Sequence, residues 1–129
     1  MIGGRILDGS ALAALAEGSD YMRSWSAVAA AHGLTLYVPG LALAEARALR
    51  PESAGLLDIF AAHPEVYVVP DPDRLMRRDI DALHDRTGTW DPTAAWVVLA
   101  AKARGWEVLT RDAERLRRLD ATITVDVLP

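Results

Sequence analysis

Short apolar runs alternate with amphipathic stretches along the chain. Ile6-Leu7 reads as a brief strand ending at Asp8, and Ser10 to Ala16 as a short helix stopped by Gly18. Ser19 or Asp20 is placed to cap a longer helix reaching His32. In it Tyr21, Met22, Trp25, Val28 and Ala29 recur at steps of three and four, the helical period, and Gly33 supplies a C-terminal cap. Leu34 to Val38 predicts a second strand, which Pro39-Gly40 ends while opening a helix through Arg50. Pro51 suits the first turn of the next helix, through Ala62. Val66 to Val69, rich in β-branched residues, predicts a third strand.

Asp71-Pro72 reads as the cap and first turn of a further helix, with Leu75, Met76, Ile80 and Leu83 as its buried stripe. After a Thr87-Gly88-Thr89 loop, Asp91-Pro92 opens a helix that is nearly all apolar to Ala103. It should therefore be deeply buried, and Gly105 ends it. Glu107 to Thr110 predicts a fourth strand, Asp112 to Leu119 a short helix, and Ile123 to Leu128 a last strand. Strands alternating with helices imply an α/β fold, a three-layer α/β/α sandwich with a mostly parallel sheet of about five strands and right-handed crossovers. No repeat, low-complexity segment or long linker divides the chain, so residues 1–129 read as a single domain.

Composition narrows the class. With 129 residues, 51% of them hydrophobic, the chain can bury a core and is too apolar for a disordered segment. The absence of cysteine excludes a disulfide framework and a thiolate zinc site. The longest apolar run, Ala94 to Ala101, is far short of the roughly 20 residues of a membrane span. Met1 to Arg5 lacks the basic segment and apolar core of an export signal, so a cytoplasmic protein without a membrane partner is expected. A net charge of -4 argues against a generic polyanion binder. All the basic residues but Lys102 are arginine and alanine is abundant, which reads as coding bias rather than as a partner signal.

The acids carry the chemistry. Ligand sites in open parallel sheets lie beyond the carboxyl ends of the strands. Asp8 ends the first strand, Glu45 lies on the helix after the second, Asp91 opens the long apolar helix, and Asp112 follows the fourth strand. Around Glu45, the residues three and four positions away are Leu41, Ala42, Ala48 and Leu49, so no helical ion pair is at hand. A carboxylate there is either solvated on an alanine face or placed for a purpose. Asp8 and Asp91 each double as a helix N-cap, although Ser10 can cap in place of Asp8. Asp112 can cap its own helix and pair with Arg115. Two carboxylates ~5 Å apart at an effective dielectric of ~20 repel by roughly 3 kcal/mol. Gathering all four calls for a cation, and all-oxygen donors select a hard one, Mg²⁺ or Mn²⁺. His32, His63 and His84 are dispersed at helix ends or on polar faces and are assigned no ligand role.

With Ile6-Leu7-Asp8-Gly9-Ser10-Ala11-Leu12, Val38-Pro39, Leu43-Ala44-Glu45-Ala46, Asp91-Pro92-Thr93-Ala94-Ala95 and Val108-Leu109-Thr110-Arg111-Asp112 in this order, the chain resembles the PIN-domain family. Within that family it is most similar to the VapC-type toxins of bacterial toxin–antitoxin pairs, and the resemblance covers essentially the whole chain. It implies a metal-dependent endoribonuclease that hydrolyses RNA phosphodiesters to 5′-phosphate and 3′-hydroxyl ends. By the resemblance Asp8, Glu45, Asp91 and Asp112 hold one or two Mg²⁺ or Mn²⁺ ions. Ser10 and Thr110 match the small hydroxyl positions beside them. Gly9 departs from the family's usual Thr or Ala without removing a ligand.

RNA must reach an acidic pocket, so Arg111, Arg115, Arg117 and Arg118 are expected to include phosphate contacts. The plain alternative is a solvated helix face paired with Glu114 and Asp120. The resemblance also implies a cognate antitoxin whose arm crosses the early helices, and a homodimer. Tyr21, Met22 and Trp25 would suit the antitoxin groove if exposed, and the core if not. Trp90 can stack on a base or seal its loop onto the core. Two other classes compete with the nuclease: a non-catalytic PIN-like module that binds RNA or protein, and a Rossmann-like nucleotide binder. The second lacks the glycine-rich G-x-G-x-x-G turn it requires.

Overall fold

A computed structural model describes residues 3–129; the export-signal reading of Met1 to Arg5 falls partly on residues 1 and 2, outside the described residues. Strands form at Gly4–Leu7 (β1), Thr35–Pro39 (β2), Val66–Val69 (β3), Val108–Thr110 (β4) and Val125–Val127 (β5). They pair in the order β3-β2-β1-β4-β5, every pair parallel. Ile6 lies beside Tyr37 on one flank and Val108 on the other.

Seven helices cover the sheet: Gly9–Ala16 (α1), Asp20–His32 (α2), Gly40–Leu49 (α3), Ala54–Ala61 (α4), Arg74–Thr87 (α5), Pro92–Arg104 (α6) and Ala113–Arg117 (α7). Side chains alternate across the pleat, so the strands divide their apolar residues between two cores. Leu7, Leu36, Val38 and Leu109 pack with α1 to α4, whereas Ile6, Tyr37 and Val108 pack with α5 to α7. The architecture is therefore the expected three-layer α/β/α sandwich. Trp96 of α6 is fully buried and its indole N–H donates to the Tyr37 hydroxyl at 3.2 Å. No helix of the described residues is long and apolar enough to cross a membrane.

The structure corrects several element readings. Asp73, not Asp71, caps α5, its carboxylate accepting from the Met76 N–H at 2.8 Å. That shift turns Leu75 outward to 60% exposure, and the buried stripe becomes Ile80, Leu83 and His84. Pro51–Ser53 forms a separate 3-10 turn before α4. In α2 only Met22 and Ala29 are buried; Val28 faces solvent and Tyr21 and Trp25 are half-buried. Met22 is thus core rather than groove. Gly40 opens α3 where a β-carbon would lie 2.0 Å from the Pro70 carbonyl oxygen, so the β2–α3 turn can approach the end of β3 only with glycine there.

Candidate active site

The strand order runs outward from β1 in both directions, so β1 and β4 flank the topological switch point, the crevice where open α/β sheets bind ligands. Asp8 leaves the end of β1 with only 4% of its surface exposed. Its Oδ1 accepts from the Ser10 hydroxyl at 2.7 Å and from the Ala11 N–H at 2.9 Å, which also caps α1. Its Oδ2 accepts from the buried Thr110 hydroxyl, at the end of β4, at 2.5 Å. Burial pushes the Asp8 carboxyl above its ordinary value, against these three hydrogen bonds and the charge of Arg115. The site therefore holds an acid whose ionised form lacks full compensation.

Glu45 reaches the same crevice from α3. Its carboxylate lies over Gly9, where a β-carbon would stand 1.9 Å from Oε2. The glycine at this position makes room for Glu45. Asp91 arrives from the start of α6, where Oδ1 accepts from the Ala94 N–H at 3.2 Å and caps the helix. Between these two carboxylates stands Arg115 of α7. Its Nη1 and Nη2 donate to Glu45 Oε2 and Oε1 at 3.0 and 2.8 Å. Its Nε and Nη2 donate to Asp91 Oδ2 and Oδ1 at 2.7 and 2.9 Å. The ion pair that Glu45 cannot find within its own helix is supplied by this distant residue. Burial works to raise the Asp91 carboxyl, but the Arg115 hydrogen bonds, the Ala94 N–H and the guanidinium charge together carry it below its usual value. The same bonds to Asp91 and Glu45 push the Arg115 guanidinium further up, so it stays charged.

Asp112 stands apart from this trio. Its carboxylate accepts from the Arg115 N–H at 3.2 Å and caps α7, and its own N–H donates to Thr110 Oγ1 at 2.8 Å. It joins the site through Thr110, not by facing the other acids. The side-chain pair expected between Asp112 and Arg115 does not form, because the guanidinium turns to Glu45 and Asp91. Arg111 is anchored to Glu17, Nη1 to Oε2 at 2.7 Å, while its N–H donates to Ser10 Oγ at 2.8 Å. Arg117 and Arg118 are exposed on the same segment.

Sequence reasoning missed His84. It is buried on α5, and its Nε2 accepts from the Asp91 N–H at 3.0 Å, which ties α5 to the start of α6. The spacing Ile80, Leu83, His84 already puts it on the buried stripe. Trp90 lies against this ring, tilted by 40° at 4.3 Å between centroids, and leaves 74% of its surface to solvent. It does not seal the loop onto the core. A groove of about 530 Å³ lies elsewhere, between α2 and α4, with Leu15, Leu56, Ile59 and Phe60 in its walls. Glu65 is its one lining carboxylate, beside Arg23 and His63, and none of the four candidate acids lines it.

Among the described residues no three imidazole or carboxylate groups converge as a ready metal cage. A guanidinium instead occupies the space between Glu45 and Asp91. Hard oxygen donors around a seat already taken by a cation fit Mg²⁺ or Mn²⁺ in chemistry and charge. No family model matches the chain, and no curated protein matches it.

Proposed function

We propose that the chain is a PIN-type, Mg²⁺- or Mn²⁺-dependent endoribonuclease that hydrolyses RNA phosphodiester bonds, acting in the cytoplasm as the toxin of a toxin–antitoxin pair. One observation carries the reading. Glu45 and Asp91, delivered by separate helices, share the Arg115 guanidinium near the buried Asp8 at the switch point of a parallel sheet. When bound, the metal supplies the Lewis acidity that phosphodiester hydrolysis requires. Asp8, Glu45 and Asp91 would hold it, with Asp112 behind them. Thr110 and Ser10 fix the Asp8 carboxylate in one orientation. Arg115 at the acids and the exposed Arg111 beside them would supply positive charge to approaching RNA phosphates, and Trp90 offers an exposed aromatic ring one residue from Asp91. The apolar groove between α2 and α4 suits the antitoxin arm, on the opposite side of α2 from Tyr21 and Trp25. A homodimer belongs to the same reading.

The test is cleavage of a structured total-RNA mixture by the purified protein in Mn²⁺ and Mg²⁺, with chelator, Asp8→Asn and Asp91→Asn as controls. Metal-dependent cutting abolished by both substitutions is expected. A second reading, a non-catalytic PIN-like module, is favoured by the guanidinium that already neutralises Glu45 and Asp91. No cutting, with no Mn²⁺ bound in calorimetry, would select it.

A further inference from the structure

Arg115 is the feature that the nuclease reading leaves unexplained. A phosphate-binding arginine should present its donors to solvent, yet four of its hydrogen bonds go to Glu45 and Asp91. Those are the carboxylates the metal would need. A divalent cation and a guanidinium between the same two carboxylates repel each other and compete for the same lone pairs, so the two occupy the seat in alternation.

The guanidinium is not sealed in. Its side chain keeps about a quarter of its surface exposed (25%), and it hangs from a helix of only five residues. Its planar fork binds a phosphodiester with the same two-point geometry as it binds a carboxylate. Arg117 and Arg118 are exposed on the same short segment and add positive charge for an approaching strand.

We propose that Arg115 is the site's own counter-cation and a substrate-linked latch: it clamps Glu45 and Asp91 until an RNA phosphodiester draws it away and leaves both carboxylates to the divalent ion. This rests on the nuclease reading. It makes metal and RNA bind with positive linkage, each raising the affinity of the other by the same factor. It also keeps Glu45 and Asp91 neutralised in the absence of metal. A purely structural clamp, tying α7 to α3 and α6, predicts none of this linkage.

Mn²⁺ binding separates the two. The full chain and Arg115→Gln are titrated with Mn²⁺ by calorimetry, alone and with a mixed-sequence 2′-O-methyl oligoribonucleotide, after subtracting the Mn²⁺ that the oligonucleotide binds by itself. Arg115→Gln is expected to bind Mn²⁺ at least ~10-fold more tightly than the wild type. The oligonucleotide should tighten Mn²⁺ binding by the wild type by a larger factor than that of Arg115→Gln, which keeps only the metal's own contact with the phosphate. If Arg115→Gln proves unfolded by circular dichroism, Arg115→Lys replaces it, because lysine keeps the charge but cannot span both carboxylates. Equal Mn²⁺ affinity in wild type and variant overturns the latch and leaves the metal reading standing. Tighter binding in the variant with no response of the wild type to the oligonucleotide overturns the substrate link. Mn²⁺ bound by neither protein, with no RNA cut, overturns the nuclease reading and the latch with it.

Discussion

Arg115 and Glu45 stand 70 positions apart in the chain and meet as fork on fork, at 3.0 and 2.8 Å. The same guanidinium reaches Asp91, so one side chain joins α7, α3 and the start of α6 across the mouth of the sheet. A local partner was available in Asp112. An exposed pair three residues apart contributes only about 0.2–0.5 kcal/mol, whereas a two-point, half-buried pair to two carboxylates is much stronger.

Removing that guanidinium without metal leaves two half-buried acids facing each other. Arg115→Gln should lose about 1–3 kcal/mol of unfolding free energy in urea. The double variant Glu45→Gln/Arg115→Gln should lose less than the sum of the single losses. Strict additivity in this cycle would show that the pair is not coupled.

Asp8 titrates in the opposite direction from a paired acid. Burial raises its carboxyl above the unfolded value. Its contribution to stability is therefore fully present below the ordinary carboxylate range and is lost as pH rises through the folded value. Asp8→Asn can keep the hydrogen bonds from Ser10 and Ala11 and carries no charge. It should stay within about 1 kcal/mol of the wild type at neutral pH, while RNA cleavage disappears. The stability of Asp8→Asn relative to the wild type should improve from pH 3 to pH 7. A difference that stays flat with pH would contradict the buried-charge account.

Two glycines give contrasting outcomes when changed to alanine. At Gly9 the new methyl meets the end of the Glu45 side chain, which can swing aside only by loosening its pair with Arg115, so the fold should survive with a loss no greater than that of Arg115→Gln. The displaced carboxylate should cost cleavage ~10-fold or more. At Gly40 the obstacle is the Pro70 carbonyl, which is backbone, and Gly40→Ala should lose about 2 kcal/mol or more. Thermal melts and RNA-cleavage rates on both variants distinguish a site effect from a fold effect.

Far from the crevice, the Thr122 hydroxyl and the Lys102 ammonium hold the Asp120 carboxyl down to about 2. The sign is that of a paired acid: its stabilisation is present above the usual aspartate value and is lost as pH falls through about 2. Asp120→Asn should be less stable than the wild type by about 1 kcal/mol at pH 7. The gap should close as pH approaches 2. A gap of the same size at pH 2 would remove charge as the cause.

Trp90 is the exposed aromatic nearest the acids, with one ring face taken by His84. Trp90→Ala should leave thermal stability nearly unchanged and weaken RNA binding by ~10-fold, in line with about 1–3 kcal/mol for a stacked base. Trp90→Phe should recover much of that loss. Filter-binding assays with both variants would make the comparison, and unchanged binding by Trp90→Ala would assign the ring to its loop.

The layered fold was legible because its signals are local. The apolar runs at Ile6-Leu7 and Val66 to Val69, the caps at Asp91 and Gly33, and the unbroken apolar helix after Pro92 each depend on residues within a turn or two. Readings failed where a local signal had two equal solutions. Asp71 and Asp73 are both capping residues, and only packing against the sheet chose the second and turned Leu75 outward.

Local signals place Asp8 at a strand end and Asp91 and Asp112 at helix starts, since each caps the helix it opens. What neutralises Glu45 and Asp91 is settled by packing alone. Arg115 could stay with Asp112, bind solvent, or cross to Glu45 and Asp91, and the sequence contains all three options. The choice depends on the distance closed between α3, α6 and α7 when the sheet assembles, and Coulombic attraction between residues 70 apart exists only once that distance has been closed.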